Sequence, residues 1–105
     1  PLPMALAVSI HITKHAHERL KQRLGLGKSA RMRHVSRGLL LGKRYKMKRG
    51  RIKNYCDKLR QNHSDARGFA NPYFYGRFVY IFFHTTLVTV FPIPHDMENH
   101  VESLN

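Results

Sequence analysis

His15, Arg19 and Arg23 follow one another at intervals of four residues, so on a helix they form one continuous polar stripe. An imidazole beside two guanidiniums has the makings of a phosphodiester site. His15 would serve as base toward a 2′-hydroxyl, while Arg19 and Arg23 hold the phosphate and offset the charge that builds on it. The plainer reading of the same stripe is an outer helix face that meets water. A second group is denser: Lys43, Arg44, Lys46, Lys48, Arg49, Arg51 and Lys53 fill seven of the eleven positions from Lys43 to Lys53, with no acid among them. Clustered cations neutralise phosphates and release condensed counterions, although a basic run can also be no more than a solvated surface. The third group is aromatic. Nine of the eleven Phe and Tyr residues lie between Phe69 and Phe91. Most must pack in a core, and Tyr75 and Tyr80 are the ones expected to offer a stacking face to an unpaired base.

Other chemistries lack their parts. The pairs His11/His15, His15/His17 and His95/His100 have no acid to complete a ligand set, and Cys56 is the only cysteine, so neither a metal nor any other cofactor is expected. Glu18 is the sole acid among the first 56 residues, which argues against a paired-carboxylate hydrolase. Neither a phosphate-cradling glycine loop of the Walker type nor a G-x-S-x-G elbow occurs.

The elements that must position these groups can be read from periodicity. Val8 to Ile12 alternates as a short strand. Thr13 can cap a helix from Lys14 to Leu24, with Ala16, Leu20 and Leu24 as its apolar stripe and Gly25 as its stop. Ser29 can cap a second helix from Ala30 to Leu41 that buries Met32, Val35, Leu39 and Leu40. The basic run should be exposed, and Ile52, Tyr55, Cys56 and Leu59 mark a third helix that ends at Asn62 to Asp65. Tyr73 to Tyr75, Phe78 to Phe83 and Leu87 to Ile93 then read as three strands. Gly76-Arg77 suits a type II′ hairpin between the first two, and Pro92 and Pro94 mark the last as an edge that frays. The expected class is α+β: three N-terminal helices followed by an antiparallel β-meander of three strands, with a fourth from Val8 to Ile12, and only one sheet face against the helices.

At 105 residues the chain has room for one domain, with an ordered core over residues 8–94 and a flexible tail over 95–105. The formal charge is +13 and the pI about 10.6. Residues 1–60 carry 17 of the 19 basic residues against Glu18 and Asp57 alone, so the field that attracts polyanions belongs to the first part of the chain. A single cysteine excludes an intramolecular disulfide and suits a reducing, cytoplasmic setting. No apolar run approaches the roughly 20 residues of a membrane span, and residues 1–8 lack the basic leader of a secretory signal; Met4 is read as the native start. Membrane-surface binding is not expected, because the apolar helix faces should be committed to the core.

The stretch Ile12-Thr13-Lys14-His15-Ala16-His17-Glu18-Arg19-Leu20-Lys21-Gln22-Arg23-Leu24-Gly25-Leu26 resembles a family of small phage and prophage proteins that open with the same Thr-Lys-His-Ala, Glu-Arg and Arg-Leu-Gly-Leu pattern. They also share a late strand pair like Phe78 to Phe82 and Leu87 to Val90, so the likeness covers residues 10–94. The basic run exceeds what that group implies. More distantly, helices followed by a meander resemble the RelE-like and barnase-like RNase toxins. That likeness implies a metal-independent site in which His15 and Arg19 face Tyr80 or Thr89. The function expected from all this is binding of nucleic acid, RNA in preference to DNA, with metal-independent endoribonuclease activity held open. The alternative is a phage-encoded inhibitor that docks without catalysis on a host nucleoprotein complex such as a ribosome or CRISPR effector.

Overall fold

Phe78-Val79-Tyr80-Ile81-Phe82-Phe83 is an unbroken apolar run, as befits a strand covered on both faces. In a computed structural model of the chain, which describes residues 9–44, 50–64 and 70–102, this run is the middle of a five-stranded sheet. The strands are β1 (His11–Ile12), β2 (Lys43–Arg44), β3 (Asn71–Tyr75), β4 (Phe78–Phe83) and β5 (Thr86–Pro92). The helices are α1 (Lys14–Leu24), α2 (Lys28–Leu41), α3 (Arg51–His63) and α4 (Glu98–Glu102), the last preceded by a 3₁₀ turn, His95–Met97. The sheet order is β1-β5-β4-β3-β2.

A three-stranded meander forms, with strands that begin earlier than expected: β3 at Asn71 rather than Tyr73 and β5 at Thr86 rather than Leu87. β3 and β4 are antiparallel around the Tyr73↔Tyr80 pair, and β4 and β5 around Tyr80↔Val90. Gly76, at φ 61°, takes the first place of the β3–β4 turn, and His84, at φ 52°, takes the left-handed place in the β4–β5 turn. The sheet is nevertheless larger than a three- or four-stranded meander, and it is mixed. β1 lies parallel to β5, fastened by His11 N–H to the Thr85 carbonyl at 3.1 Å and by Thr13 N–H to the Leu87 carbonyl at 3.2 Å. β5 is therefore an inner strand over its first half. Lys43 and Arg44, expected in an exposed loop or helix entry, are exposed but form β2 on the opposite edge against Phe74 and Tyr73. Val8 of the anticipated first strand lies outside the described residues.

The expectation that one sheet face is left open is also corrected. On one face Ala16 and Leu20 of α1 and Val35 of α2 pack with Ile12, Tyr80, Phe82, Leu87 and Val90. On the other, Ile52, Cys56 and Leu59 of α3 pack with Phe74, Val79, Ile81 and Phe83. Within the stretch read as a loose tail, residues 95–102 contribute to this second layer. Met97 and Val101 are buried in it at 5% and 6% exposure, and each such side chain contributes about 1.5–3 kcal/mol by leaving water. Only two apolar positions recur there, against three in the α1 stripe, too short a period to read as a helix among polar residues.

α1 starts and stops where the sequence says. α2 begins two residues earlier than expected, with Gly27 rather than Ser29 at its N-cap, and it is rolled about its axis. Val35 and Gly38 are its buried residues, while Met32 and Leu40 are exposed. The cause is Gly38. A Cβ there would lie 3.2 Å from the Tyr80 ring, so the absent side chain lets the helix backbone rest directly on β4.

Candidate nucleic-acid interface

Thr13 fixes α1 to the sheet at both levels of structure. Its Oγ1 accepts the Ala16 N–H at 3.1 Å, which caps the helix, and donates to the Val88 carbonyl at 3.3 Å, which ties the cap to β5. With Ala16 and Leu20 facing inward, the polar stripe turns outward. Arg19 Nε donates to His15 Nε2 at 3.3 Å and its Nη1 to Gln22 Oε1 at 2.9 Å. Arg23 leans further in and gives one guanidinium N–H to the Val90 carbonyl at 2.7 Å. Arg31 of α2 donates to the Leu26 carbonyl at 2.9 Å and stands 3.5 Å from His17 Nδ1, which stitches the two helices together.

This arrangement sorts charge by layer. α1 and α2 carry four Lys or Arg each, with Glu18 the only acid on either. The opposite layer is balanced: Arg51, Lys53, Lys58 and Arg60 of α3 stand with Asp57, Asp96, Glu98 and Glu102. Several of those charges pair directly. Arg51 reaches Asp96 at 2.9 Å, and Lys53 pairs with Asp57 one turn along α3. The basic surface of the described residues is therefore the α1–α2 face, not the start of α3.

That face is dented at one end. Arg23 and Leu24 from the end of α1, Leu26 from the linker, His34 from α2, and Tyr75, Gly76, Arg77, Phe78 and Tyr80 from the β3–β4 hairpin enclose a pocket of about 550 Å³. Its walls are aromatic and aliphatic, its charged members are Arg23 and Arg77, and no carboxylate lines it among the described residues. Arg77 sits at the hairpin tip, where its carbonyl accepts the Ile93 N–H at 2.9 Å and steadies the turn. Tyr80 is 1% exposed. Burial, with Tyr75 nearby, pushes its hydroxyl up to about 12, so near neutral pH it carries its proton and cannot act as a base.

The expected site residues thus part company. Arg23, Tyr75 and Tyr80 meet in the pocket; His15 and Arg19 are not among its lining residues and bond to each other on the exposed face of α1. Tyr80 lies beneath Gly38 of α2, while His15 and Arg19 stand on the outer stripe of α1. Of the basic run, Lys43 donates to the Glu102 carbonyl at 3.2 Å and Arg44 lies over the Tyr73 ring at 4.7 Å. Arg51 and Lys53 make the ion pairs given above, and Lys46, Lys48 and Arg49 lie outside the described residues. Sequence reasoning missed His34, Arg33, Arg37 and Arg77. The signal for the first three was present: Lys28–Leu41 holds four basic residues and no acid. α2 also exposes large apolar groups, Met32, Leu40 and Leu41, on the helix that carries Arg33 and Arg37, so the apolar residues of a basic helix are not all committed to the core.

Among the described residues no group of three or more His, Cys, Asp or Glu is placed to hold a metal ion, and no helix is long and apolar enough to cross a membrane. Comparison with protein-family models, with curated proteins and with solved structures returned no match.

Proposed function

We propose that this protein binds nucleic acid, RNA in preference to DNA, along the α1–α2 face. The observation that carries the reading is the segregation of charge: eight Lys or Arg against one acid on the two helices of one layer, and balance on the other. A surface that only kept the chain soluble would have no reason to concentrate its excess of cations over acids on one side of the sheet. Single-stranded RNA suits the face better than duplex, since unpaired bases can seek an aromatic, partly apolar recess of the kind the β3–β4 hairpin borders.

The test is fluorescence anisotropy with a labelled RNA decamer over a range of salt. Each phosphate neutralised on a single strand adds about −0.7 to the slope of log K against log salt. Replacing exposed Lys28, Arg33 and Arg37 by Ala should flatten that slope by about 2 in total, whereas replacing Arg51 and Lys58 should leave it nearly unchanged. Equal effects from the two layers, or a slope near zero for the unaltered protein, would refute the proposal. Cleavage is settled by the same RNA on a gel in EDTA. An endoribonuclease cuts it, and intact RNA leaves a binding protein.

A second reading has its own observation. Met32, Leu40 and Leu41 beside Arg33 and Arg37 make a surface that can seat a protein, as an inhibitor docking on a host nucleoprotein complex requires. Met32→Ser with Leu41→Ser separates the two, because it should abolish recovery of such a complex and leave RNA affinity intact.

A further inference from the structure

We infer that the pocket between the end of α1, α2 and the β3–β4 hairpin is a seat for one unstacked nucleotide of the bound strand. The inference rests on the nucleic-acid reading of the α1–α2 face and deepens it by naming where a base goes. About 550 Å³ falls within the range of small-ligand pockets. Its composition narrows the occupant. Inorganic phosphate would have no use for walls made of Leu24, Leu26, Tyr75 and Phe78, and a neutral apolar molecule would have none for two guanidiniums; a nucleotide needs both kinds of surface.

The cations are placed for the phosphate. A guanidinium has five N–H donors, and Arg23 gives one to the Val90 carbonyl at 2.7 Å, a bond that fixes its direction while the remaining donors stay available. Arg77 lines the same pocket from the β3–β4 turn, whose backbone is tied to Ile93. With no carboxylate in the described lining, nothing there opposes an anion, and His34 supplies a ring nitrogen to the base edge or sugar. Tyr80, protonated and buried beneath Gly38, forms a rigid floor. The recess reads a flat ring and a neighbouring phosphate, and it discriminates weakly among the four bases because stacking is sequence-tolerant.

The experiment compares a labelled RNA decamer with one in which every base is removed, at equal salt and phosphate number. The expected result is tighter binding of the intact decamer by about 5- to 150-fold, the range that one base–aromatic stack contributes. Tyr75→Leu should close most of that gap while leaving affinity for the abasic strand unchanged, and Arg77→Ala, at an exposed turn position, should weaken both strands. Equal affinity for intact and abasic strands would overturn the nucleotide seat and leave the charge-based interface standing; failure to bind either would overturn both. Competition by poly-glutamate as effective as that by RNA would assign the pocket to acidic protein and overturn it as well. Should Tyr75→Leu fail to fold, the two strands on the unaltered protein still decide the matter.

Discussion

Gly38→Ala probes the close contact between α2 and β4, and two opposing effects set its outcome. A glycine inside a helix is about 1 kcal/mol less favourable than alanine, so the exchange would stabilise α2 if nothing lay opposite. Something does: the added Cβ would stand 3.2 Å from Cγ and Cδ1 of Tyr80 and 3.4 Å from Cδ2. The ring is 1% exposed and belongs to a cluster with Phe82, Val35 and Leu20, so it has little room to retreat. Crowding of this sort in a packed core costs about 1–3 kcal/mol, which outweighs the helix gain and leaves a net loss of about 1 kcal/mol. For a domain of this size that is a fall in Tm of about 4–8 °C, read by circular dichroism or calorimetry. Tyr80→Ala removes the obstacle, at its own cost of about 3–5 kcal/mol for the cavity. In that background Gly38→Ala should raise Tm, so the double-mutant cycle shows a coupling of about 1–3 kcal/mol. If Gly38→Ala raises Tm equally with and without the Tyr80 ring, the close approach that orients α2 and floors the pocket is not there.

Three further outcomes follow from the same packing. Thr13→Ala removes both the α1 cap and the bond to Val88, and chemical denaturation should register a loss of about 1–2 kcal/mol. Ending the chain at Pro94 removes Met97 and Val101 from the second core layer, and about 3–5 kcal/mol should go with them; a truncated protein as stable as the full chain would return that segment to a loose tail. Burial against the sheet lowers the affinity of His63 for its proton. The unfolded chain therefore binds more protons than the folded one below the ordinary histidine value of 6.5. Stability is present above that pH and declines as pH falls through it, and His63→Phe, which keeps the ring stacked near Phe91, should flatten the decline.

What the sequence disclosed and what it concealed differ by physical kind. α1 was readable to the residue because its determinants are local: Thr13 before the stripe, Gly25 after it, and one apolar side chain per turn. The meander was readable for the same reason, since Gly76-Arg77 and the aromatic runs are adjacent in sequence. The parallel pairing of His11 and Ile12 with Thr86 and Leu87 left no local mark. The two-sided burial of β4 did leave one, the continuous run Phe78 to Phe83, which speaks against an open face. The site was legible as composition more than as place. The dense run Lys43 to Lys53 drew the eye, yet its described members are engaged with Glu102, Tyr73, Asp96 and Asp57. The diluter cations of α1 and α2 form the less opposed surface, because the run meets Asp57 one turn along α3 and Asp96 from a distant part of the chain.

The pairing of β1 with β5 bears on how the chain must be made. Thr13 and Val88, joined in the finished fold, are 75 residues apart, so α1 leaves the ribosome long before the strand it rests on has been synthesised. Its Ala16 and Leu20 have no sheet to cover them during that interval. Closure of so distant a contact is a late and slow event in folding. Until then the newborn chain holds a pair of cationic amphipathic segments awaiting their platform, and this layer is completed only after β5 has been translated.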